Sequence, residues 1–402
     1  MPADYDIKGW CPGALRPMAS GDGLVVRVRL PFGRMTPHQA LGIAQAARLR
    51  GNGQLELSGR ANLQLRGVTE ASHRPLLSDL AAHGVLDSDL TLESRRNILL
   101  SPFWTADDGT TLLAAALKSR LMDLPDLPGK FGHVIDIGPN RVLAEASGDL
   151  RLERGVSGGL ILRADGAALG QPVTPKTAIP ALIALAHWFV DHGGITQGRG
   201  RMRALIQRAL IQPTLTQRGP TPPKATEAPV AAAAAPPPGT TPHGILAAFE
   251  FGSITADTLT ALAGLGHSLR LTPWRMVLFE NLTDPAALHL IPGVITDPDN
   301  PLLAVRACPG APFCPQGLGA TRDLARSLAR SLLARVPKGQ ILHISGCAKG
   351  CAHPLAADLT LVAGLGGFAA GHACAASEVS GPARPVQQLL TDPNIFDQSG
   401  AA

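Results

Sequence analysis

Apolar and basic residues alternate at positions 24–30, Leu-Val-Val-Arg-Val-Arg-Leu. An alternation with a period of two is typical of a half-buried β-strand. Thr36, followed by a proline, predicts a helix N-terminus, and the helix should continue to about Arg50. Two short segments, residues 54–57 and 62–66, then predict further strands, so this part of the chain has a β-α-β-β order.

The same order returns in the second half of the chain. A strand at 244–251, a turn at 252–255, a helix through Leu265 and strands at 269–272 and 276–279 are predicted there. The turn sequence Gly-Ser-Ile-Thr at 252–255 aligns with Gly-Arg-Met-Thr at 33–36. The simplest interpretation is an internal duplication with a period of roughly 210–220 residues. Chance similarity between two generic α/β units is the alternative.

Proline and alanine dominate residues 213–242, which contain nine prolines and an unbroken run of alanines at 231–235. This composition predicts an extended, semi-rigid linker without a fold of its own.

The overall composition is that of a globular protein, with 45% apolar and 17% charged residues in a chain of 402. The net charge is +5, and arginine outnumbers lysine. A coding bias is the first explanation of this excess. A polyanionic ligand is the alternative, because guanidinium groups match carboxylates. No dense basic run with interleaved aromatic residues occurs, which disfavours nucleic acid as a partner.

Two segments bear on localisation. Residues 1–8 are polar and lack the apolar stretch of a signal peptide. The longest apolar segment, residues 181–190, contains His187 and is too short to span a bilayer. We therefore expect a cytoplasmic protein that has no membrane partner, and a reducing compartment disfavours structural disulfides.

Four of the six cysteines form two clusters, in which Cys308 and Cys314 are followed by Cys347 and Cys351. Zinc sites usually use more closely spaced pairs, and the Cys-x-x-Cys motif of a thioredoxin-like dithiol is absent. The Cys-x5-Cys and Cys-x3-Cys spacing, with prolines and glycines around it, favours an iron–sulfur cluster. Because residues 80–212 contain no cysteine, only the C-terminal half can carry it.

Several residues near these clusters have less specific patterns. Residues 316–335 predict a helix, in which arginines at 322, 326 and 330 form either a solvated face or a docking patch. His343 and His353 flank the cysteine loops and are interpreted as core or loop residues, with an alternative role for His353 near iron. Cys11 and Cys374 are interpreted as ordinary small buried residues.

The cysteine pattern, in the second half of a duplicated chain, resembles the nitrite and sulfite reductase superfamily. Residues 58–67, Ser-Gly-Arg-Ala-Asn-Leu-Gln-Leu-Arg-Gly, resemble its first-half arginine motif. Residues 96–97, Arg-Asn, and 127–131, Leu-Pro-Gly-Lys-Phe, resemble its later anion-site segments. The resemblance implies that the four clustered cysteines hold a [4Fe–4S] cluster and that the last one also bridges to sirohaem iron. The chain departs from the pattern at Gly132, where the superfamily has a second lysine, and losing this cation weakens a site for sulfite or nitrite.

The resemblance also implies an α+β fold with duplicated nitrite/sulfite reductase-like architecture, in which only the C-terminal cluster-type domain carries [4Fe–4S]. The predicted units are a ferredoxin-like half-domain (1–79), an α/β domain without cluster (80–212), the linker (213–242), a second ferredoxin-like half-domain (243–282) and the cluster-binding α/β domain (283–402).

Three longer strings narrow the resemblance to the precorrin-3B synthase family: Cys-Pro-Gly at 11–13, Gly-Asp-Gly-Leu-Val-Val-Arg at 21–27 and Ser-Gly-Cys-Ala-Lys-Gly-Cys-Ala-His-Pro at 345–354. This family implies an NADH-dependent monooxygenase of cobalamin biosynthesis that acts on precorrin-3A with dioxygen. It hydroxylates the meso carbon between rings A and D, and a γ-lactone closes.

On this resemblance Arg60, Arg66, Arg96 and Lys130 would bind substrate carboxylates, while the catalytic residues stay unidentified. The family also implies a non-haem iron, for which the sequence offers no recognisable ligand set. No nucleotide-binding fingerprint is visible, so a separate NADH-linked reductase is an expected partner. A sirohaem-dependent sulfite or nitrite reductase and a non-catalytic iron–sulfur electron carrier are the alternatives.

Overall fold

The computed structural model describes residues 11–211, 222–332 and 339–392. The first half of the chain contains β1 (Met18–Ser20), β2 (Gly23–Val28), β3 (Arg34–Met35), α1 (Pro37–Arg50), β4 (Gln54–Leu57), β5 (Leu63–Val68), α2 (Glu70–Ala82), α3 (Leu90–Arg95), β6 (Ile98–Leu100), α4 (Thr110–Ser119), β7 (His133–Asp136), β8 (Leu150–Arg154), β9 (Leu160–Ala164), β10 (Gln171–Val173), α5 (Pro175–Asp191) and α6 (Met202–Ile211). In the described residues no helix is long and apolar enough to cross a bilayer.

The second half repeats much of this order. It contains β11 (Gly239–Thr241), β12 (Gly244–Phe249), β13 (Ser253–Thr255), α7 (Ala256–Gly264), β14 (Leu269–Leu271), β15 (Met276–Glu280), α8 (Ala286–His289), β16 (Val294–Ile295), β17 (Val305–Ala307), α9 (Thr321–Leu332), β18 (Leu342–Ser345), β19 (Ala357–Gly364), β20 (Gly367–Cys374) and α10 (Val386–Thr391).

The two half-domains exchange a strand. The first sheet has the order β1-β2-β5-β4-β13, and the second has the corresponding order β11-β12-β15-β14-β3. Strand β13 therefore completes the first sheet, and β3 completes the second. The turns before these two strands match as well, with left-handed backbone at Phe32 and Gly33 and again at Phe251 and Gly252. The predicted duplication is confirmed.

The two α/β domains repeat each other in the same way. In the first, β6, β7 and β8 are parallel and β9 pairs antiparallel with β8. In the second, β17, β18 and β19 are parallel and β20 pairs antiparallel with β19. The sequence pattern alone does not indicate this second level of duplication, because the loops between the strands differ in length and charge.

Local signals explain the start of α1. The side chain of Thr36 accepts a hydrogen bond from the Gln39 backbone amide (3.2 Å), and the Gln39 side chain accepts one from the Thr36 amide (3.0 Å). This reciprocal pair is a capping box, and Pro37 is already suited to the first helical turn. The predicted helix from Thr36 to Arg50 is confirmed.

The prediction of a half-buried strand at 24–30 is wrong in one respect. All residues from Leu24 to Leu30 are buried, and the side chains of Arg27 and Arg29 are only 8% exposed. An alternating pattern shows which residues share a face, but not whether the polar face is covered by another domain. Here it is covered, and both guanidinium groups lie inside the molecule.

Two other predicted boundaries change. The second half-domain begins with β11, inside the predicted linker, because residues 239–241 form a hairpin with β12. Helix α9 begins at Thr321 and not at position 316, because residues 316–320 fold into the first cysteine loop, where Leu318 N donates to Gly346 O (2.8 Å). The predicted end of this helix lies outside the described residues, as do residues 213–221 of the linker.

The described part of the predicted linker is extended, but it is docked on the first α/β domain. Gly170 and Glu227 exchange backbone hydrogen bonds (2.7 and 3.1 Å), and Val230 N donates to Arg154 O (2.9 Å). The Glu227 carboxylate accepts from the amide and the hydroxyl of Ser157 (2.9 and 2.7 Å). The segment thus runs along the edge of a sheet, a placement that low-complexity composition cannot reveal.

The strand exchange makes the core of the two half-domains a shared one. Met35 on β3 is fully buried and pairs with Leu269 of the other half. We expect Met35→Ala to lower the free energy of unfolding by about 2–5 kcal/mol, because a cavity is left between both halves. Leu49→Ala is the control, since Leu49 is 61% exposed and its loss should cost less than about 0.5 kcal/mol. Urea denaturation followed by circular dichroism measures both, and equal losses would contradict a shared core.

Candidate active site and metal centre

The two cysteine loops lie at one edge of the second α/β sheet. Cys308 follows β17 and Cys347 follows β18, and these strands are parallel neighbours. Since the carboxyl ends of parallel strands meet at the same edge, the topology brings the two loops together. A backbone hydrogen bond from Cys308 N to Ile344 O (3.3 Å) continues the pairing into the first loop.

Glycines allow the two loops to touch. A Cβ atom on Gly346 would lie 3.0 Å from the Cα of Gly310 and 3.2 Å from the Cα of Gly317. Side chains at these positions would force the loops apart. The Gly346 amide also donates a hydrogen bond to the Cys308 sulfur (3.1 Å). A thiolate at Cys308 would be stabilised by this bond.

The thiols of the four clustered cysteines influence one another. Burial raises the pKa of Cys351 to about 11, against a smaller opposing effect of Lys349, and Cys308, Cys347 and Cys314 raise it further. Burial also raises the pKa of Cys347, and Cys308 and Cys314 act in the same direction. Four mutually repelling thiolates are stable only around a compensating positive centre.

This donor set fits a [4Fe–4S] cluster. In the ranges 11–211, 222–332 and 339–392, no three histidine, cysteine, aspartate or glutamate side chains are close enough together to hold a single metal ion. A four-iron cluster makes a different demand, because each iron takes one thiolate and the sulfurs stand farther apart. The described residues therefore suit the predicted cluster, whereas they offer no three-ligand site for a mononuclear iron.

Two of the four predicted anion-binding residues are already paired. Arg66 donates to both carboxylate oxygens of Asp22 (3.0 and 2.7 Å), and Arg96 does the same with Asp87 (2.7 and 2.8 Å). Arg96 also donates to the backbone carbonyl of Arg29 (2.7 Å). Both guanidinium groups therefore form ion pairs with carboxylates of the protein itself.

The other two predicted residues lie together. Arg60 donates to the backbone carbonyl of Lys130 (2.9 Å) and to the hydroxyl of Ser147 (3.2 Å). Burial lowers the pKa of Arg60, and the side chain of Lys130 is exposed. Neither side chain forms an ion pair among the described residues, so both charges are available to an anion.

Arg29 and Cys11 are site residues that the sequence analysis did not select. Arg29 is buried, and its Nε has no hydrogen-bond partner in the part of the chain that the structure describes. Burial lowers its pKa to about 10, and Arg27 acts in the same direction. Arg29 and Cys11 line a cavity of about 300 Å³, which Arg16 and Arg95 also border. Burying a donor without a partner costs free energy. Glu93 and Asp126 are the acidic residues of this cavity, so its arginines outnumber its acids.

Cys11 lies in a strongly positive environment. Burial alone would raise its pKa, but the charges of Arg27, Arg60 and Lys130 and a hydrogen bond from Arg27 outweigh burial. The net pKa is below the ordinary value of 9.0. The interpretation of Cys11 as an inert buried residue therefore needs revision, whereas burial raises the pKa of Cys374.

Gly132 is packed against Asn97. A Cβ atom on Gly132 would lie 2.8 Å from the Nδ2 of Asn97, and that Nδ2 donates to Phe131 O (2.7 Å). A side chain at position 132 would therefore require the Asn97 side chain to shift.

In the first α/β domain, charged side chains support the loop that corresponds to the second cysteine loop. After β7, the carboxylate of Asp136 accepts from Leu143 N (2.7 Å), and Arg151 donates to the carbonyls of Leu143 and Ala146 (2.9 and 2.5 Å). Arg151 is 1% exposed. This copy of the loop is held by buried hydrogen bonds.

Comparisons with known proteins agree with this architecture. Residues 16–83 match the nitrite/sulfite reductase ferredoxin-like half domain. The structure of the NirA protein of Mycobacterium tuberculosis superimposes with a TM-score of 0.62 at 18% identity, over 93% of this chain and 84% of that one. The chain has the nitrite/sulfite reductase fold. The predicted fold class is confirmed, although the cluster itself stays a prediction.

Two curated relatives of this reductase-like chain have enzyme names. A precorrin-3B synthase of Sinorhizobium sp is 28% identical over 96% of this chain and 86% of its own length. A ferredoxin–nitrite reductase of Synechococcus elongatus is 24% identical over 86% of this chain and 77% of its own length. These similarities confirm the resemblance that the motifs predicted, and they support an enzymatic role.

The cysteine loops give a direct test. We expect Cys347→Ser to abolish the cluster, because one iron loses its thiolate. The control is Cys374→Ser, which removes a cysteine outside both loops and should keep the parent's iron and acid-labile sulfide. Iron and sulfide analysis of anaerobically purified protein measures both variants. A full complement of iron and sulfide in Cys347→Ser would show that Cys347 is not a ligand of the cluster.

Cys11 should react as a thiolate at lower pH than Cys374. Alkylation by iodoacetamide, followed residue by residue by mass spectrometry across a pH series, should show a midpoint for Cys11 below 9.0 and one for Cys374 above 9.0. Arg27→Gln should raise the Cys11 midpoint, since it removes both a charge and a hydrogen bond. Coinciding midpoints for the two cysteines would refute the electrostatic argument.

Proposed function

We propose that this protein is a precorrin-3B synthase, an NADH-dependent monooxygenase of cobalamin biosynthesis. It would hydroxylate precorrin-3A at the meso carbon between rings A and D with one atom of dioxygen, and the ring A acetate would close a γ-lactone. The second oxygen atom would leave as water, with two electrons supplied by NADH through a separate reductase.

The cavity of about 300 Å³ that Arg16, Arg29 and Arg95 line, with Glu93 and Asp126 as its acidic residues, is the observation that supports this proposal most strongly. A macrocycle with many carboxylates suits a surface on which guanidinium groups outnumber acids, because charge-assisted hydrogen bonds fix its orientation. The similarity to a precorrin-3B synthase over 96% of this chain supports the same substrate class.

The geometry assigns different roles to the predicted basic residues. Arg60 and Lys130 would bind substrate carboxylates together with Arg29. Arg96 would act indirectly, because it ties the Arg29 backbone to Asp87 and so positions Arg29. Arg27 would favour the thiolate form of Cys11 at the cavity wall, because its charge and hydrogen bond lower the pKa of that thiol. When bound by the four cysteines, the cluster would supply electrons one at a time.

A sirohaem-dependent sulfite or nitrite reductase is the second candidate, favoured by the fold and by the nitrite reductase relative. Its small anionic substrate demands concentrated positive charge. Gly132 stands where the superfamily has a second lysine, so this loop has less concentrated positive charge than a sulfite or nitrite site needs.

Turnover tests the proposal. Purified protein with precorrin-3A, ¹⁸O-labelled dioxygen and a reductant should yield a product heavier by one labelled oxygen atom. Arg29→Gln should lower kcat/KM by about 10- to 100-fold, the value of a lost charge-assisted hydrogen bond. The control is Arg48→Gln, which removes a surface pair with Asp257 and should leave kcat/KM unchanged. Sirohaem bands in the visible spectrum, with sulfite or nitrite reduction and no labelled product, would overturn the proposal.

A further inference from the structure

The carbonyl oxygen of Phe313, in the first cysteine loop, accepts three hydrogen bonds from the first half-domain. The donors are the amide of Gly21 (3.2 Å), the hydroxyl of Ser20 (2.8 Å) and Nη2 of Arg66 (2.8 Å). A carbonyl oxygen has two lone pairs, so this acceptor is fully used. Phe313 directly precedes Cys314, so these bonds fix the backbone next to a predicted cluster ligand.

Arg66 is held in place for this contact. Asp22 binds it through both carboxylate oxygens, and the two side chains are 8% and 10% exposed. Asn52 in turn donates to Asp22 (3.2 Å). Burying an ion pair costs desolvation energy, and good geometry with additional hydrogen bonds is needed to offset it. The arrangement meets both conditions.

A β-bulge directs Arg66 toward the loop. Between β2 and β5, Val26 pairs with Leu65 but Leu24 pairs with Val68, so β5 has one extra residue at positions 66–67. Gly67 takes the left-handed conformation that such a bulge favours (φ 68°). The corresponding strands β12 and β15 pair without a shift. The bulge therefore distinguishes the copy whose arginine reaches a cysteine loop.

Gly21 brings the backbone of the hairpin against the loop. A Cβ atom there would lie 2.3 Å from Pro312 O and 3.2 Å from Cys314 N. Any other residue would push the loop away. The close approach of Gly21 and the three hydrogen bonds to Phe313 O are two independent signs that the hairpin turn and the loop are complementary in shape.

We propose that Ser20, Gly21, Asp22 and Arg66 form a clamp through which the cluster-free half-domain positions Cys314 for the cluster. Arg66 is then a positioning residue of the metal centre and does not bind substrate. The inference rests on the proposed cluster, but the hydrogen bonds of the clamp join only protein groups and can be tested without the cluster.

The first test uses hydrogen exchange in cluster-free full-length protein. In Arg66→Gln, the amides of residues 308–318 should exchange about 10-fold faster, because a charge-assisted bond to the loop is lost. The matched control is Arg34→Gln. Arg34 also joins the two halves, through both oxygens of Glu280 (2.7 and 2.9 Å) and the hydroxyl of Ser268 (2.8 Å), and none of these bonds reaches a cysteine loop. The control should leave exchange at 308–318 unchanged.

The second test uses reconstituted protein. Arg66→Gln should change the electron paramagnetic resonance spectrum of the reduced cluster and speed the loss of iron in air, whereas Arg34→Gln should change neither. Ser20→Ala, which removes one donor near the surface, should give a smaller effect in the same direction and replaces Arg66→Gln if that variant does not fold. Unchanged exchange and an unchanged spectrum in a folded clamp variant would overturn the proposal. If the parent protein binds no cluster, the proposed function fails, while the exchange experiment still decides whether the clamp exists.

Discussion

Strands β3 and β13 each leave their own half-domain and complete the sheet of the other. An isolated half-domain would expose the edge of β4 or β14, where unpaired backbone groups invite association with other chains. The exchange covers both edges and places α1 against α7, and one apolar core then spans both halves. The contact between the first half-domain and the second α/β domain depends on this geometry. In the interlocked halves, the hairpin at residues 18–28 donates hydrogen bonds to the first cysteine loop.

The sequence predicts features whose cause is local. Thr36 and Gln39 form their capping box without outside help, and the repeated Gly-x-x-Thr turns disclose the duplication. It does not predict features that arise from contacts between distant segments. Arg27 and Arg29 look like the solvent face of a strand, although another domain covers them. The partner of Arg66 on the cysteine loop is 247 residues away, and a bulge that no sequence motif marks directs the side chain there.

The two halves contribute complementary chemistry to the candidate site. The first half supplies the positive groups: Arg29 at the cavity, and Arg60 and Lys130 close to Cys11. The second half supplies the four thiols. Duplication followed by divergence accounts for this division, since only the second copy of the α/β domain has the two cysteine loops. The second half also supports its own cysteine loops. Arg275 donates a hydrogen bond to Ala352 O, directly after the second cysteine loop (3.1 Å).

The loop held by Asp136 and Arg151 has a consequence for how the protein matures. The core of the first α/β domain is built from residues between 92 and 206, so it can form as soon as that segment has left the ribosome. Because buried hydrogen bonds hold its loop, this domain can form before the second half of the chain is made. On the proposed function, only the later-synthesised domain would have to receive iron and sulfide. The cluster would then be inserted at the end of biosynthesis, into cysteine loops that an already folded first half helps to hold.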